Sequence, residues 1–232
     1  MLRINFLIAL LIFAPNSFAQ PLVLAMVDTA ICLKDKDNKN AKIFSEQNQD
    51  QAACKKLPAF NRSIHGHFTL ETVKKSLPIE LEYKLYHFNV FDDEGKQDAK
   101  KWEKTLKELE KIKPDLVLMA VGYSGDLALF PKKLPALTVA AAGTVGFGIS
   151  PETKLWPQSL DDPKLYLVGH FFPSLYRHHA GRQELPKGQV DPDLLTPNRV
   201  KFYIPESRLE DHFKGSSRAS ALAFAAFIKY CQ

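Results

Sequence analysis

Short apolar runs alternate along the chain with stretches whose apolar residues recur at helical spacing. Strands are predicted at 22–27, 82–90, 116–121, 137–142, 165–168 and 200–204, and helices at 65–77, 102–112 and 219–230. Strands that alternate with helices usually pair in parallel and are covered on both faces. The pattern therefore predicts an α/β fold with a mostly parallel sheet. The polar stretch 35–51 and the stretch 170–198 lack either periodicity and are predicted to be irregular. The segment between 122 and 137 is too short for a full helical crossover.

The amino terminus has the pattern of a secretory signal peptide. Arg3 is followed by an apolar run at 6–14, and Ser17-Phe18-Ala19 places small residues where a signal peptidase reads. An uncleaved membrane anchor is the alternative, but the run is well short of the ~20 residues that a spanning helix needs. We expect a signal peptide at 1–19 and a single domain at 20–232. The mature protein is then secreted or periplasmic, with no stable membrane insertion after cleavage.

Composition places the chain among folded proteins and argues against one class of partner. Of its 232 residues, 45% are hydrophobic and 25% charged. The net charge of +5 is spread along the chain, and the lysines of 100–113 interleave with glutamates. Such a pattern is typical of a solvated helix face, so no nucleic-acid partner is expected.

If the protein is exported, its cysteines can form disulfides, because the compartment outside the cytoplasm is oxidising. The chain has three, Cys32, Cys54 and Cys231, so one is left over. A Cys32–Cys54 bridge would close the polar insert, and pairing of either with Cys231 is equally allowed. No Cys-x-x-Cys spacing occurs, and the histidine pairs lack ligands at suitable spacing. We therefore expect no metal and no cofactor.

Three short segments carry an acid, a base and a hydroxyl. Asp28 ends a predicted strand, His65 begins a helix, and Ser217 begins another. In a parallel sheet the carboxyl ends of strands and the adjoining helix starts share one edge. A serine hydroxyl becomes nucleophilic when a base takes its proton, and a carboxylate orients that base. Taken singly, the three residues also suit a turn, a satisfied histidine and a helix N-cap.

The surrounding segments resemble the subtilisin-like serine proteases (subtilases). The chain has VLAMVDTAI around the acid, HGHF at the base and GSSRASALAFAAF at the hydroxyl. Between them EYKLYHFNVFDDEG, PDLVLMAVG, LTVAAAGT and KLYLVGH resemble the family's intervening strands. The likeness runs from about residue 22 to 231. It implies a three-layer, doubly wound, mostly parallel sheet with helices on both faces.

The resemblance assigns roles to particular residues. It makes Ser217 the nucleophile, His65 the general base and Asp28 the orienting carboxylate of a serine endopeptidase that acts on polypeptides. Thr144 and Ser217 would form the oxyanion hole. Two backbone segments would bind substrate: Ala120, Val121 and Gly122 would pair with an extended peptide, and Ala141, Ala142 and Gly143 would line a pocket.

Several departures from the family pattern support an alternative function. Thr144 stands in place of the oxyanion-hole asparagine, and losing such a donor costs about 10²–10³ in turnover. Arg218 follows the nucleophile where the family has an apolar residue, and Ala30 replaces a glycine. The short stretch 20–27 before Asp28 is also expected to leave no room for a folding prodomain. The alternatives are a pseudoprotease that binds a peptide or protein partner, and an esterase that uses the same triad.

Overall fold

The computed structural model describes residues 21–32, 41–45, 64–92, 94–143, 150, 152–172, 176–177, 184–185, 189–190, 199–205, 213 and 215–230. The strands are β1 Leu22–Asp28, β2 Ala41–Ser45, β3 Tyr83–Asn89, β4 Leu116–Met119, β5 Thr138–Ala141, β6 Leu165–Phe172, β7 Tyr176–Arg177, β8 Glu184–Leu185, β9 Gln189–Val190 and β10 Phe202–Pro205. The helices are α1 His65–Ser76, α2 Ala99–Ile112 and α3 Ser216–Tyr230. The predicted strands and helices are confirmed, with shifted ends.

The central sheet is mostly parallel, and its strand order reverses at β1. The strands pair in the order β10-β6-β5-β4-β1-β3-β2, and every pair along this path is parallel. The chain first builds the sheet on the β3 side of β1 and then continues on the β4 side. Ligands of open α/β sheets bind beyond the strand carboxyl ends at such a reversal. Asp28, the last residue of β1, lies at this point.

Helices cover both faces of the sheet, as the apolar periodicity predicts. On one face, Leu70 and Val73 of α1 and Phe224 of α3 pack in one core with the strands. On the other face, Trp102 and Leu109 of α2 pack in a second core. Burial of these apolar stripes supplies the main favourable term in folding. The three-layer arrangement is confirmed.

Helix α2 begins earlier than its apolar spacing predicted. Asp98 is the N-cap, and its side chain accepts hydrogen bonds from the backbone N–H groups of Lys100 and Lys101. Such a cap satisfies donors that have no partner within the helix. The helix ends at Ile112, and its C-cap Lys113, just before Pro114, has a left-handed φ of 51°. The aspartate cap, and not the first apolar residue, sets the start.

Two irregular stretches contain strands that the sequence pattern missed. Strand β2 lies inside the polar stretch 35–51 and pairs with β3 at the edge of the sheet. Within 170–198, β6 continues to Phe172 and pairs antiparallel with β9, and β7 pairs with β8. The prediction that these stretches are wholly irregular was wrong. Short edge strands have at most one buried face, so their apolar signal is weak.

The disulfide and the amino terminus lie partly or wholly outside the residues that the structure describes. Cys32 is disulfide-bonded, and the partner cysteine lies outside the described residues. The predicted signal peptide lies there as well. Among the helices of the described ranges, none has the length and apolar character needed to cross a membrane. Between β4 and β5, a fully described connection, the one helical segment is the 3₁₀ turn Leu127–Leu129, in keeping with the shortness of that connection.

Candidate active site

The fold brings two of the three chemical residues into direct contact. Asp28 ends β1 and is fully buried, and His65 is the first residue of α1. The Asp28 Oδ1 and His65 Nδ1 atoms are 2.6 Å apart. A carboxylate only accepts hydrogen bonds, so Nδ1 carries the ring proton and Nε2 is the nitrogen with proton-accepting capacity. This is the tautomer that a general base needs.

Further hydrogen bonds fix the Asp28 carboxylate in place. Its Oδ1 also accepts from the backbone N–H of Thr29 at 2.7 Å, and its Oδ2 accepts from the Thr69 hydroxyl at 2.7 Å. A buried carboxylate is costly unless donors satisfy it. Thr69 was not predicted as a site residue. Its position four residues after His65 places it on the same face of the helix, and this spacing is the signal that could have identified it. Thr69 serves to position the acid.

Gly66 allows α1 to approach the turn after β1. A Cβ atom at this position would lie 2.3 Å from the backbone oxygen of Thr29, which is closer than atoms can pack. The backbone N–H of Gly66 instead donates to the Thr29 hydroxyl at 2.8 Å. The Asp28-Thr29 and His65-Gly66 pairs therefore pack directly against each other. This contact explains why a threonine follows Asp28 and a glycine follows His65.

Ser217 and His65 lie on helices that cover the same face of the sheet, but the Ser217 hydroxyl does not bond to His65. Ser217 is the second residue of α3, which packs beside α1. Its Oγ donates to the backbone oxygen of Ala120 at 2.9 Å rather than to His65. Catalytic hydrogen bonds often form only when substrate binds. Arg218, the next residue, is half-buried in the first turn of α3.

Phe213 forms an apolar contact to the imidazole that the sequence did not reveal. Its ring meets the His65 ring edge-on, with centroids 5.1 Å apart and planes at 77°. Phe213 is itself buried and stacks on Phe68 of α1. Edge-to-face aromatic packing is favourable. Phe213 therefore helps to hold the orientation of the His65 ring.

The two predicted substrate-binding segments lie at the ends of neighbouring strands. Residues 120–122 follow β4, residues 141–143 close β5, and these strands pair in parallel. The Gly122 backbone oxygen accepts from the side-chain amide of Gln97, and Ser124 N–H donates to the Gln97 Oε1 at 2.9 Å. A peptide that pairs with Gly122 must therefore share this oxygen with Gln97 or displace it. Thr144, the predicted oxyanion donor, lies outside the described residues.

His87 forms a hydrogen bond to the turn that follows Asp28. Its Nε2 donates to the Thr29 backbone oxygen at 2.8 Å, which leaves Nδ1 to accept from the Ser45 hydroxyl at 2.9 Å. Burial lowers the pKa of His87 from 6.5 to about 4, against the opposing effects of the Thr29 hydrogen bond and the Asp28 charge. The folded protein thus holds a neutral imidazole.

Stability is expected to fall as acid is added between pH 6.5 and pH 4. The unfolded chain binds a proton at His87 below pH 6.5 while the folded protein does not, so protonation favours unfolding. This group alone should remove about 3 kcal/mol of the free energy of unfolding by pH 4. Urea unfolding of wild type and His87→Gln at pH 7.5, 5.5 and 4.5 measures the difference. Parallel pH dependences in the two proteins would contradict this assignment.

Comparison with known proteins yields a likeness in structure alone. No protein-family model and no curated protein sequence matches the chain. A variant of the protease domain of PatA superimposes with a TM-score of 0.54 over 88% of this chain and 76% of that one, at 11% identity. The prenylagaramide maturation protease PagA does so with a TM-score of 0.50 over 88% and 72%, at 14% identity. At such identities the likeness shows the fold, and the subtilisin-like α/β fold is confirmed.

Proposed function

We propose that the chain is an exported serine endopeptidase that hydrolyses peptide bonds through Ser217, His65 and Asp28. The observation that carries the proposal is the 2.6 Å contact between the fully buried Asp28 and His65. A buried carboxylate on the Nδ1 of a histidine at a strand end is costly to maintain and suits a general base. Ser217 lies at the start of the neighbouring helix α3, and we assign it the role of nucleophile.

The reaction proceeds in two steps. His65 Nε2 takes the Ser217 proton as Oγ attacks the peptide carbonyl, and the negative charge of Asp28 stabilises the imidazolium that forms. The backbone N–H of Ser217 and the Thr144 hydroxyl donate to the oxyanion. The imidazolium then protonates the leaving amine, and an acyl-enzyme remains. Water, deprotonated by His65, hydrolyses the ester and restores Ser217.

Substrate pairing supplies a reason for the position of the serine hydroxyl. An extended peptide beside 120–122 presents backbone N–H groups to the carbonyl oxygens of that segment. One of these, the Ala120 oxygen, accepts the Ser217 hydroxyl in the free protein. When a peptide N–H takes over this acceptor, the hydroxyl is released to donate to His65. Substrate binding would thereby favour the Ser217–His65 hydrogen bond, which rotation of the Ser217 side chain also forms transiently in the free protein.

Binding without cleavage is the second candidate function. One observation favours it: the Ser217 hydroxyl donates to the Ala120 oxygen and not to His65, so the nucleophile is engaged elsewhere. In that function the same edge would hold a peptide that is never cut.

Incubation with a peptide mixture separates the two candidates. The mature protein is added to a proteome-derived mixture, and new peptide termini are counted by mass spectrometry, beside Ser217→Ala. We expect Ser217→Ala to cleave peptides at least about 10⁴-fold more slowly than wild type, because the nucleophile is gone. The variant Ser76→Ala, at the end of α1 away from His65, is the matched control and should cut as wild type does. Retention of intact peptides on the folded wild type without new termini would favour the binding function.

A further inference from the structure

We propose that Gln158 fills the pocket between residues 120–122 and 141–143, so that the site accepts only glycine, alanine or serine before the cut. The inference rests on the proposed function, because it assumes that a peptide lies along Ala120–Gly122.

The backbone around Gln158 is anchored at the carboxyl edge of the sheet. The Trp156 N–H and C=O groups each bond to Tyr123, both at 2.9 Å, so this turn is joined to the segment that follows β4. The Arg199 guanidinium donates to the Gln158 backbone oxygen at 2.9 Å. The side chain is thus presented from a turn held on two sides, and Gln158 is only 1% exposed.

The Gln158 side chain spans the gap between the two substrate-binding segments. Its Nε2 donates to the Ala141 backbone oxygen at 2.9 Å, at the end of β5. On the other side it packs against Gly122: a Cβ built there would lie 2.5 Å from Oε1 and 3.0 Å from Cδ. The amide therefore occupies the space that Gly122 leaves by having no side chain. A large side chain of a bound peptide has no room there while Gln158 remains in place.

The Gln158 Oε1 atom is buried and has no hydrogen-bond partner in the described part of the chain. A buried polar atom without a partner is unfavourable, and such atoms in native proteins need an explanation. The Nε2 group satisfies the Ala141 oxygen, whereas the buried Oε1 atom gains no hydrogen bond from its position. An amide that closes the pocket at this cost points to a role in choosing the substrate. It also means that removing the side chain deletes an unfavourable burial together with one good hydrogen bond, so the variant should fold.

Binding of product-like peptides tests the inference without depending on catalysis. Tetrapeptides that end in Gly, Ala, Leu or Phe are titrated calorimetrically into Ser217→Ala, and into the same protein with Gln158→Ala or Gln158→Met. In Ser217→Ala, the Ala peptide should bind at least about tenfold more tightly than the Phe peptide. Gln158→Ala opens the pocket and should tighten binding of the Phe peptide by about 10-fold to 100-fold. Gln158→Met keeps the side-chain volume and should leave the order unchanged.

The outcomes separate the inference from the proposed function. Equal binding of the Ala and Phe peptides, an unchanged order in folded Gln158→Ala, or no binding of any peptide would each overturn the inference. Covalent labelling of Ser217 by a fluorophosphonate, which needs no side chain in the pocket, reports on the proposed catalysis alone. Size-selective peptide binding without labelling would leave the inference standing and overturn the protease proposal.

Discussion

Asp28→Asn is expected to lower the rate at which Ser217 reacts with a fluorophosphonate by about 10⁴-fold while leaving the fold intact. The amide that replaces the carboxylate would present its NH₂ group or its oxygen to His65, and the ring would no longer be fixed with its proton on Nδ1. The same change in a well-studied serine protease costs a factor of this size because the wrong tautomer forms. The variant also loses the negative charge that stabilises the imidazolium. The rate of fluorophosphonate labelling measures the effect.

Asp115→Asn is the matched control for this variant. Asp115 accepts a hydrogen bond from the backbone N–H of Val23 at 2.8 Å, at the opposite end of β1, where it is exposed. The same chemical change there should alter labelling less than about twofold, since surface substitutions act weakly. Equal labelling rates for wild type and Asp28→Asn would show that Asp28 does not orient His65.

Gly66→Ala is expected to destabilise the fold by about 2–4 kcal/mol. The added methyl would lie 2.3 Å from the Thr29 oxygen, so α1 must move away from the turn after β1 and lose the Gly66–Thr29 hydrogen bond. At an ordinary helix position a Gly→Ala change raises the free energy of unfolding by about 1 kcal/mol. A decrease at Gly66 would therefore itself show that the close contact is present. His65 would move with α1, and labelling should fall as well.

Lys75→Ala provides the comparison for Gly66→Ala. Lys75 is exposed near the end of the same helix, and the change should shift the free energy of unfolding by less than about 0.5 kcal/mol. Chemical denaturation of the three proteins measures both effects. A Gly66→Ala protein as stable as wild type would mean that α1 and the turn after β1 do not pack as closely as the structure has them.

The sequence predicts the fold well where a segment is buried on both sides. The strand Leu22–Asp28 is a continuous apolar run because helices cover the sheet on both faces, and its end at Asp28 follows from the first polar residue. Edge strand β2 was missed because its residues lie in a polar stretch and none of them is fully buried. The helix start at Ala99 depends on a side-chain cap at Asp98, which apolar spacing does not contain.

The sequence predicts the acid and the base, but not the network around them. Asp28 and His65 stand in recognisable motifs, and the structure joins them. Thr69, Gln97 and Gln158 could not be found in the same way, because each acts through a side-chain contact to a segment distant in sequence. Periodicity and motifs report local structure, whereas such contacts depend on how the strands are ordered in the sheet. The partner of the Ser217 hydroxyl is likewise a property of the fold.

Labelling of the purified mature protein with a fluorophosphonate is the most direct test of the claim that Asp28 and His65 activate Ser217. Wild type, Ser217→Ala and heat-denatured wild type are compared, with the labelled residue located by mass spectrometry. The account predicts that the native wild type alone is labelled, at Ser217, because only the folded site supplies a base to its hydroxyl. Absence of label on a protein shown to be folded, or label at another residue, would contradict it.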